Sequence, residues 1–377
     1  MIVVAFLSSA CGCQDNSGPG GNSRGAPGAL TVAWTNPLAS MSPGDNGWFG
    51  IPAVDNGQLY VADQNQIVAL NAGSGVIRWS TAIKSFPNAA SENIIVRGGL
   101  VISGDRDVRA LDTATGALRW RFQTDSAPEA VAAADNDTYY TGQRSLAVIY
   151  SLTLSNGSLR WRTNAGEGWQ YPAFVRGVSV SGDTVYAGIV RYLALNGYIR
   201  TGVVVALDRN TGRELWRYET PGQFHDVNWA PLVVGNLLVL DDLVGGGVYA
   251  IDRFNPGAGE KWRVKSPGQG AGPTIPSVVS DGRVYTATGG GYAYAIDAVT
   301  GRVVWQQQTK TLGLGVGMCR GSVYLNTTVL ERRDANSGSQ LGTANPKSGL
   351  GFTSDVISDG TRVFVTGVTG VTAVLCP

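Results

Sequence analysis

Short apolar, β-prone runs separated by turn residues fill this chain, and no long stretch carries a helical period. One polar–apolar frame recurs. Asp112-Thr-Ala-Thr115-Gly116-Ala-Leu-Arg-Trp120 places Asp first, Thr-Gly at the fourth and fifth positions and Trp at the ninth. The same spacing joins Asp208, Thr211, Gly212 and Trp216, and again Asp297, Thr300, Gly301 and Trp305. Looser copies are Asn71, Ser74, Gly75, Trp79 and Thr153, Asn156, Gly157, Trp161. Asp252 to Trp262 is the same unit with two residues inserted, and Asp334, Ser337, Gly338 is a copy with Gly342 where Trp is expected.

Each position has a mechanical reason. Asp or Asn accepts hydrogen bonds from the backbone ahead of it and starts a turn. Glycine supplies the left-handed conformation of a tight hairpin. Trp sits on the outgoing strand, large enough to reach the next unit while its N–H finds a partner. Two further strands precede each frame, joined by hairpin signals such as Asp281-Gly282 and Gly235-Asn236. Each unit therefore reads as a four-stranded antiparallel meander.

Trp34, Trp79, Trp120, Trp161, Trp216, Trp262 and Trp305 follow one another at intervals of 45, 41, 41, 55, 46 and 43 residues, and propeller blades run to about 40–45. The long interval holds an insertion near Tyr192 to Arg200, read as a longer hairpin. The C-terminal unit has three strands and stops, whereas Leu30 to Trp34 is an outer strand with no blade before it. The expected fold is an all-β, eight-bladed propeller of four-stranded blades over residues 30–377, with the N-terminal strand closing the last blade.

Composition narrows the function classes. Lys+Arg 29 against Asp+Glu 28 leaves a net charge of +1 in 377 residues, which gives no electrostatic footprint for nucleic acid. Residues 1–13 read as a signal peptide running into a lipobox-like segment, with Cys11 or Cys13 as the lipidated residue. An ordinary cleaved signal peptide is the alternative, leaving a soluble secreted or periplasmic protein. Neither Gly12 nor Gln14 is the Asp associated with inner-membrane retention, which favours the outer membrane. Residues 14–29, rich in Gly, Ser, Asn and Pro, read as a flexible tether. A secreted compartment permits a disulfide between Cys319 and Cys376. Sequence does not bring them within reach, and two buried free thiols are the expectation.

The Asp-x-x-Thr-Gly-x-x-x-Trp frame, preceded by Ala-Leu-Asp or Ala-Ile-Asp, resembles the PQQ-type propeller repeat over residues 30 to 377. In length, in its lipoprotein-like start and in blade number, the chain looks like the branch of BamB, the propeller lipoprotein of outer-membrane barrel assembly. The resemblance implies a protein partner at the outer membrane or in the periplasm, contact with the membrane only through a lipid anchor, and a monomeric propeller. The other branch, the quinoprotein alcohol dehydrogenases, is longer and carries an adjacent Cys-Cys pair and acidic and amide calcium ligands. No adjacent Cys pair stands in this sequence, so neither a PQQ cofactor nor a metal is expected.

Candidate chemistry gathers in the loops between blades, which converge on one mouth of the channel. Three Trp lie outside the frame, and all three are in these loops: Trp48, Trp169 and Trp229. Asp45, Glu167, Asp226 and the single histidine, His225, stand close to them in sequence. Aromatics with a few polar groups at a channel mouth suit a ligand or a peptide; the same side chains also suit a plug. No nucleophile–base motif accompanies His225, so a non-catalytic scaffold leads. A small-molecule propeller, or a quinoprotein-related enzyme, taking a quinone or a sugar at the mouth is the alternative.

Overall fold

The computed structural model describes residues 3–4, 28–38, 50–62, 65–83, 93–104, 107–128, 130–194, 199–221, 227, 229–242, 246–267, 277–309, 315–345, 355–367 and 370–377. Eight antiparallel sheets follow one another in chain order. Blades 1 to 7 span 53–82, 94–122, 133–164, 173–219, 232–265, 278–308 and 315–344. Blade 8 takes Val356–Ser358, Arg362–Gly367 and Gly370–Leu375 from the C-terminus. Its outer strand is Val32–Pro37 from the N-terminus, with Trp34 opposite Ala373. The ring is thus closed by backbone pairing between the two ends of the chain, as the strand count requires.

The hydrophobic core lies between blades. Each cluster joins apolar side chains of consecutive sheets, such as Ile102 and Trp120 of blade 2 with Tyr139 and Val148 of blade 3. The frame explains this contact. Asp112 Oδ1 accepts hydrogen bonds from the N–H groups of Ala114 and Thr115 and from the Thr115 hydroxyl. Gly116 then turns with φ 71°. Trp120 reaches into blade 3, where its indole N–H donates to the Leu154 carbonyl at 2.9 Å. Equivalent bonds of 2.8–3.2 Å join Trp34, Trp79, Trp161, Trp262 and Trp305 to the following blade.

The frame glycine does more than turn the chain. A Cβ on Gly157 would come within 2.5 Å of the Trp120 ring, and one on Gly116 within 2.6 Å of Trp79. The preceding blade's Trp therefore lies directly on the glycine of the next turn. Trp216 is the departure. It faces the turn lengthened by Arg253 to Gly259, where Pro256–Ala258 forms a 3-10 turn, and it stays half-buried.

Blade 7 explains the missing Trp. Gly28–Ala29 adds a parallel strand to its outer strand Gln340–Ala344, with Gly28 opposite Gly342. A Cβ on Gly342 would meet the Gly28 carbonyl oxygen at 2.6 Å and the Leu30 side chain at 2.9 Å. Leu30 packs in the cluster of Tyr324, Leu330 and Ala344. Residues 28 and 29, assigned above to the tether, are therefore already part of a sheet. At the other end of the ring, Val3–Val4 pairs with Val180 and Ser181 of blade 4. Cys11 and Cys13 lie outside the described residues.

The expectation of two free thiols is overturned: Cys319 and Cys376 are joined by a disulfide, with Cα atoms 6.2 Å apart. Cys319 ends the innermost strand of blade 7 and Cys376 follows the third strand of blade 8. A separation of 57 residues hides this, because only the packing of blade 8 against blade 7 brings the two together.

Candidate functional site

The inner strands of all eight blades surround an axial cavity of about 260 Å³. Its wall is largely aliphatic, with Ile51, Ile94, Val131, Val178, Val316 and Val356 each from a different blade. Isolated polar groups interrupt it: Ser179, Ser277, Asp241, Asp355 and Arg97. Arg97 turns its guanidinium to the Asn136 side chain.

Trp229 belongs to this wall. It enters on the segment leading to the inner strand of blade 5, and its backbone N–H donates to Asp241 Oδ1 at 3.1 Å. Two glycines of blade 4 let that segment approach. A Cβ on Gly177 would stand 2.6 Å from the Ala230 nitrogen, and one on Gly188 would stand 2.7 Å from the Trp229 carbonyl oxygen. Sequence reading did not single out these glycines, since nothing in a strand's own pattern reports what lies across its edge. Among the described residues no acceptor meets the buried Trp229 indole N–H, an uncommon condition for a buried donor.

Trp169 has another setting. It lies half-buried against the cluster shared by blades 3 and 4 and is not among the residues lining the cavity. Its N–H closes a turn onto the Gly166 carbonyl at 3.0 Å. Arg191 and Arg217 both lie over its ring, at 4.7 and 5.7 Å from the centroid. Glu219 holds Arg191 at 3.2 Å, and Glu214 holds Arg217 through two nitrogens at 2.6 and 2.7 Å. Glu167 is exposed on the same loop. Trp48, His225 and Asp226, with Asp45, lie outside the described residues.

The sector around Trp169 is taller than the rest of the ring. The first three strands of blade 4, Ala173–Ser181, Thr184–Tyr192 and Arg200–Asp208, have nine residues each. This is the longer hairpin that the 55-residue interval predicted. Phe174 and Tyr192 meet edge to face at 5.3 Å between centroids. Arg144–Ser145, from a hairpin of blade 3, adds to the inner strand of blade 4. Leu146 beside it is 51 % exposed. Below, Asp125 accepts from Arg162 at 2.7 and 3.0 Å and from the Tyr150 hydroxyl at 3.0 Å. The Arg162 bonds lead in holding the Asp125 carboxyl below its usual range.

Among the described residues, no three His, Cys, Asp or Glu side chains gather as metal ligands. The two described cysteines are bonded to each other between blades 7 and 8.

Comparison with known proteins places this architecture. The family described as outer membrane protein assembly factor BamB matches residues 29–200, 147–311 and 245–329, which together run from 29 to 329. The BamB of Nitrosomonas eutropha is 31% identical over 129 residues, a match spanning 33% of this chain and 29% of that protein. The crystal structure of BamB from Moraxella catarrhalis superposes with a TM-score of 0.67 at 18% identity, covering 92% of this chain and 97% of that one. The quinohemoprotein alcohol dehydrogenase ADHIIG from Pseudomonas putida HK5 superposes with a TM-score of 0.68 at 15% identity, covering 92% of this chain and 76% of that one. Both superpositions report the propeller itself, which hosts unrelated functions. The family match extends over well more than half of the chain, and the chain belongs to the PQQ-like propeller family of outer membrane protein assembly factor BamB.

Proposed function

We propose that this protein is a non-catalytic, BamB-like scaffold of the bacterial envelope. In this reading it is tethered to the outer membrane through Cys11 or Cys13 and docks a protein partner of outer-membrane protein assembly. The observation that carries the docking role is the raised sector of blades 3 and 4. There Trp169 lies under Arg191 and Arg217 on the face of blade 4 that packs on blade 3, Phe174 and Tyr192 meet at the end of the same blade, and Leu146 is exposed on the adjoining hairpin. Trp, Tyr and Arg dominate protein-binding hot spots because they combine large apolar area with directed polar groups. The disulfide supports an exported protein, since structural disulfides persist in oxidising compartments.

In-cell crosslinking of the tagged full-length protein, followed by mass spectrometry, is the test. Barrel-assembly components are expected, and the Trp169→Ala/Arg191→Ala variant is expected to lose at least about tenfold of that crosslink, the loss of a hot-spot pair. Deleting the gene is expected to deplete outer-membrane barrels; unchanged barrel levels refute the assembly role.

One observation favours a second reading, a small-molecule site on the channel axis. Trp229 lines the cavity with a buried N–H that has no acceptor among the described residues. A quinone or a sugar bound there would change tryptophan fluorescence. The Trp229→Ala variant would abolish that change while keeping its melting temperature. A variant that fails to fold instead identifies this side chain as a plug.

A further inference from the structure

The ring has one seam with no peptide bond across it, between Val32–Pro37 and Gly370–Leu375. The strand on the C-terminal side of that seam is tied down at its end. The Leu375 N–H donates to the Thr31 carbonyl and the Cys376 N–H to the Thr361 carbonyl, each at 2.9 Å. Arg320, in the turn just after Cys319, donates to the Gly360 carbonyl at 3.0 Å and to the Cys376 carbonyl at 3.2 Å. Beneath these bonds runs the disulfide, which fastens the penultimate residue of the chain to the innermost strand of blade 7.

We propose that oxidation of Cys319 and Cys376 is the latch that holds blade 8 on blade 7 and so presents Gly370–Leu375 to the N-terminal strand that closes the ring, and that a protein thiol oxidase must act while blade 8 is still undocked. The chemistry is thiol–disulfide exchange. One cysteine thiolate attacks the oxidase disulfide and forms a mixed disulfide. The second thiolate displaces the oxidase sulfur and forms the Cys319–Cys376 bond. The oxidase leaves as a dithiol, carrying the two electrons and two protons. Attack requires an accessible sulfur, but in the closed ring Cys319 is 4 % exposed and Cys376 is 5 % exposed. The bond therefore forms before, or during an opening of, the last blade. Once formed, it shortens the free loop: a crosslink at a sequence separation of 57 shifts the docking equilibrium on the order of a thousandfold in the chain-entropy account. The inference stands apart from the partner reading, because it needs only an oxidising compartment.

The test uses the full chain. Peptide mapping of protein isolated from the oxidising compartment is expected to show the Cys319–Cys376 crosslink, and two free thiols would overturn the proposal. Reduction by a phosphine in native buffer is expected to run on the order of a hundredfold slower than in denaturant, because it waits on opening of blade 8. Equal rates would show an already accessible bond and refute the burial argument. In the Cys319→Ser/Cys376→Ser variant, hydrogen exchange is expected to rise in residues 355–377 and 32–37 while blades 2 to 5 keep their protection. Unchanged exchange at the seam would remove the latch role.

Discussion

Gly57 and Gly157 have the same backbone conformation, φ +72° at each, yet they stand in opposite surroundings. Nothing lies within 4 Å of a Cβ added at Gly57, whereas at Gly157 that atom would sit 2.5 Å from the Trp120 ring. Alanine at either site adopts a left-handed conformation at a cost of roughly 1–2 kcal/mol, reduced by about 0.4–1 kcal/mol because the unfolded chain is stiffened. Gly57→Ala should therefore cost about 1 kcal/mol. Gly157→Ala must also push Trp120 aside. Overpacking of this kind costs roughly 1–3 kcal/mol, and a shifted indole loses its 2.9 Å bond to the Leu154 carbonyl, about 1 kcal/mol more. The expected total is about 3–5 kcal/mol.

Urea unfolding followed by far-ultraviolet circular dichroism measures both variants without relying on tryptophan emission. Equal m-values are required for the comparison. A mutant cycle isolates the contact: in a Trp120→Ala background, Gly157→Ala should cost only what Gly57→Ala costs, about 1 kcal/mol, leaving a coupling of about 2–4 kcal/mol. The stacking account is refuted if Gly157→Ala is no more costly than Gly57→Ala, or if its cost is the same with and without Trp120.

Gly342→Trp restores the repeat frame in blade 7 but places a ring where Gly28 and Leu30 run. Residues 28–30 should become exchange-labile and protease-sensitive with the propeller still folded, and unaltered protection there would count against the N-terminal strand as the reason for the glycine. Glu331 and Arg333 form a buried pair at 2.6 Å, 1 % and 7 % exposed; Glu331→Ala should cost about 3–5 kcal/mol in urea unfolding, and Glu331→Leu/Arg333→Met should cost less than that single change. Asp112 is lowered from 3.8 to about 2, first by its bonds to Arg119 and then by Thr115. Because the folded value lies below the unfolded one, this contribution is complete above the unfolded value near 3.8 and is lost as pH falls through about 2. Arg119→Gln should raise the Asp112 midpoint seen by carboxyl NMR titration, and an unmoved midpoint would exclude the arginine as the main cause.

What was legible in the chain divides along a physical line. Turn chemistry is local, so Asp112, Thr115 and Gly116 announce their hairpin without knowledge of any neighbour. The seven Trp, with the copy at Asp334 that lacks one, then fix the number of blades, and the orphan strand ending at Trp34 fixes how the ring closes. Contacts made around the ring are not local, and there the reading stopped. Gly342 looked like decay of the repeat, yet it is an outer-strand position that must clear a parallel segment arriving from residue 28. Cys319 and Cys376 looked unrelated at 57 residues apart, yet the end of the innermost strand of blade 7 meets the end of the third strand of blade 8. The three loop tryptophans shared one sequence context, but Trp229 joins the axial wall while Trp169 lies under Arg191 and Arg217 on the taller blade. The difference follows from the blades that each loop joins. Gly177 and Gly188 draw the loop before blade 5 inward, whereas nine-residue strands carry the arginine facing Trp169 up to its loop. Departures from the repeat, more than the repeat itself, therefore mark where this propeller has been adapted to a task.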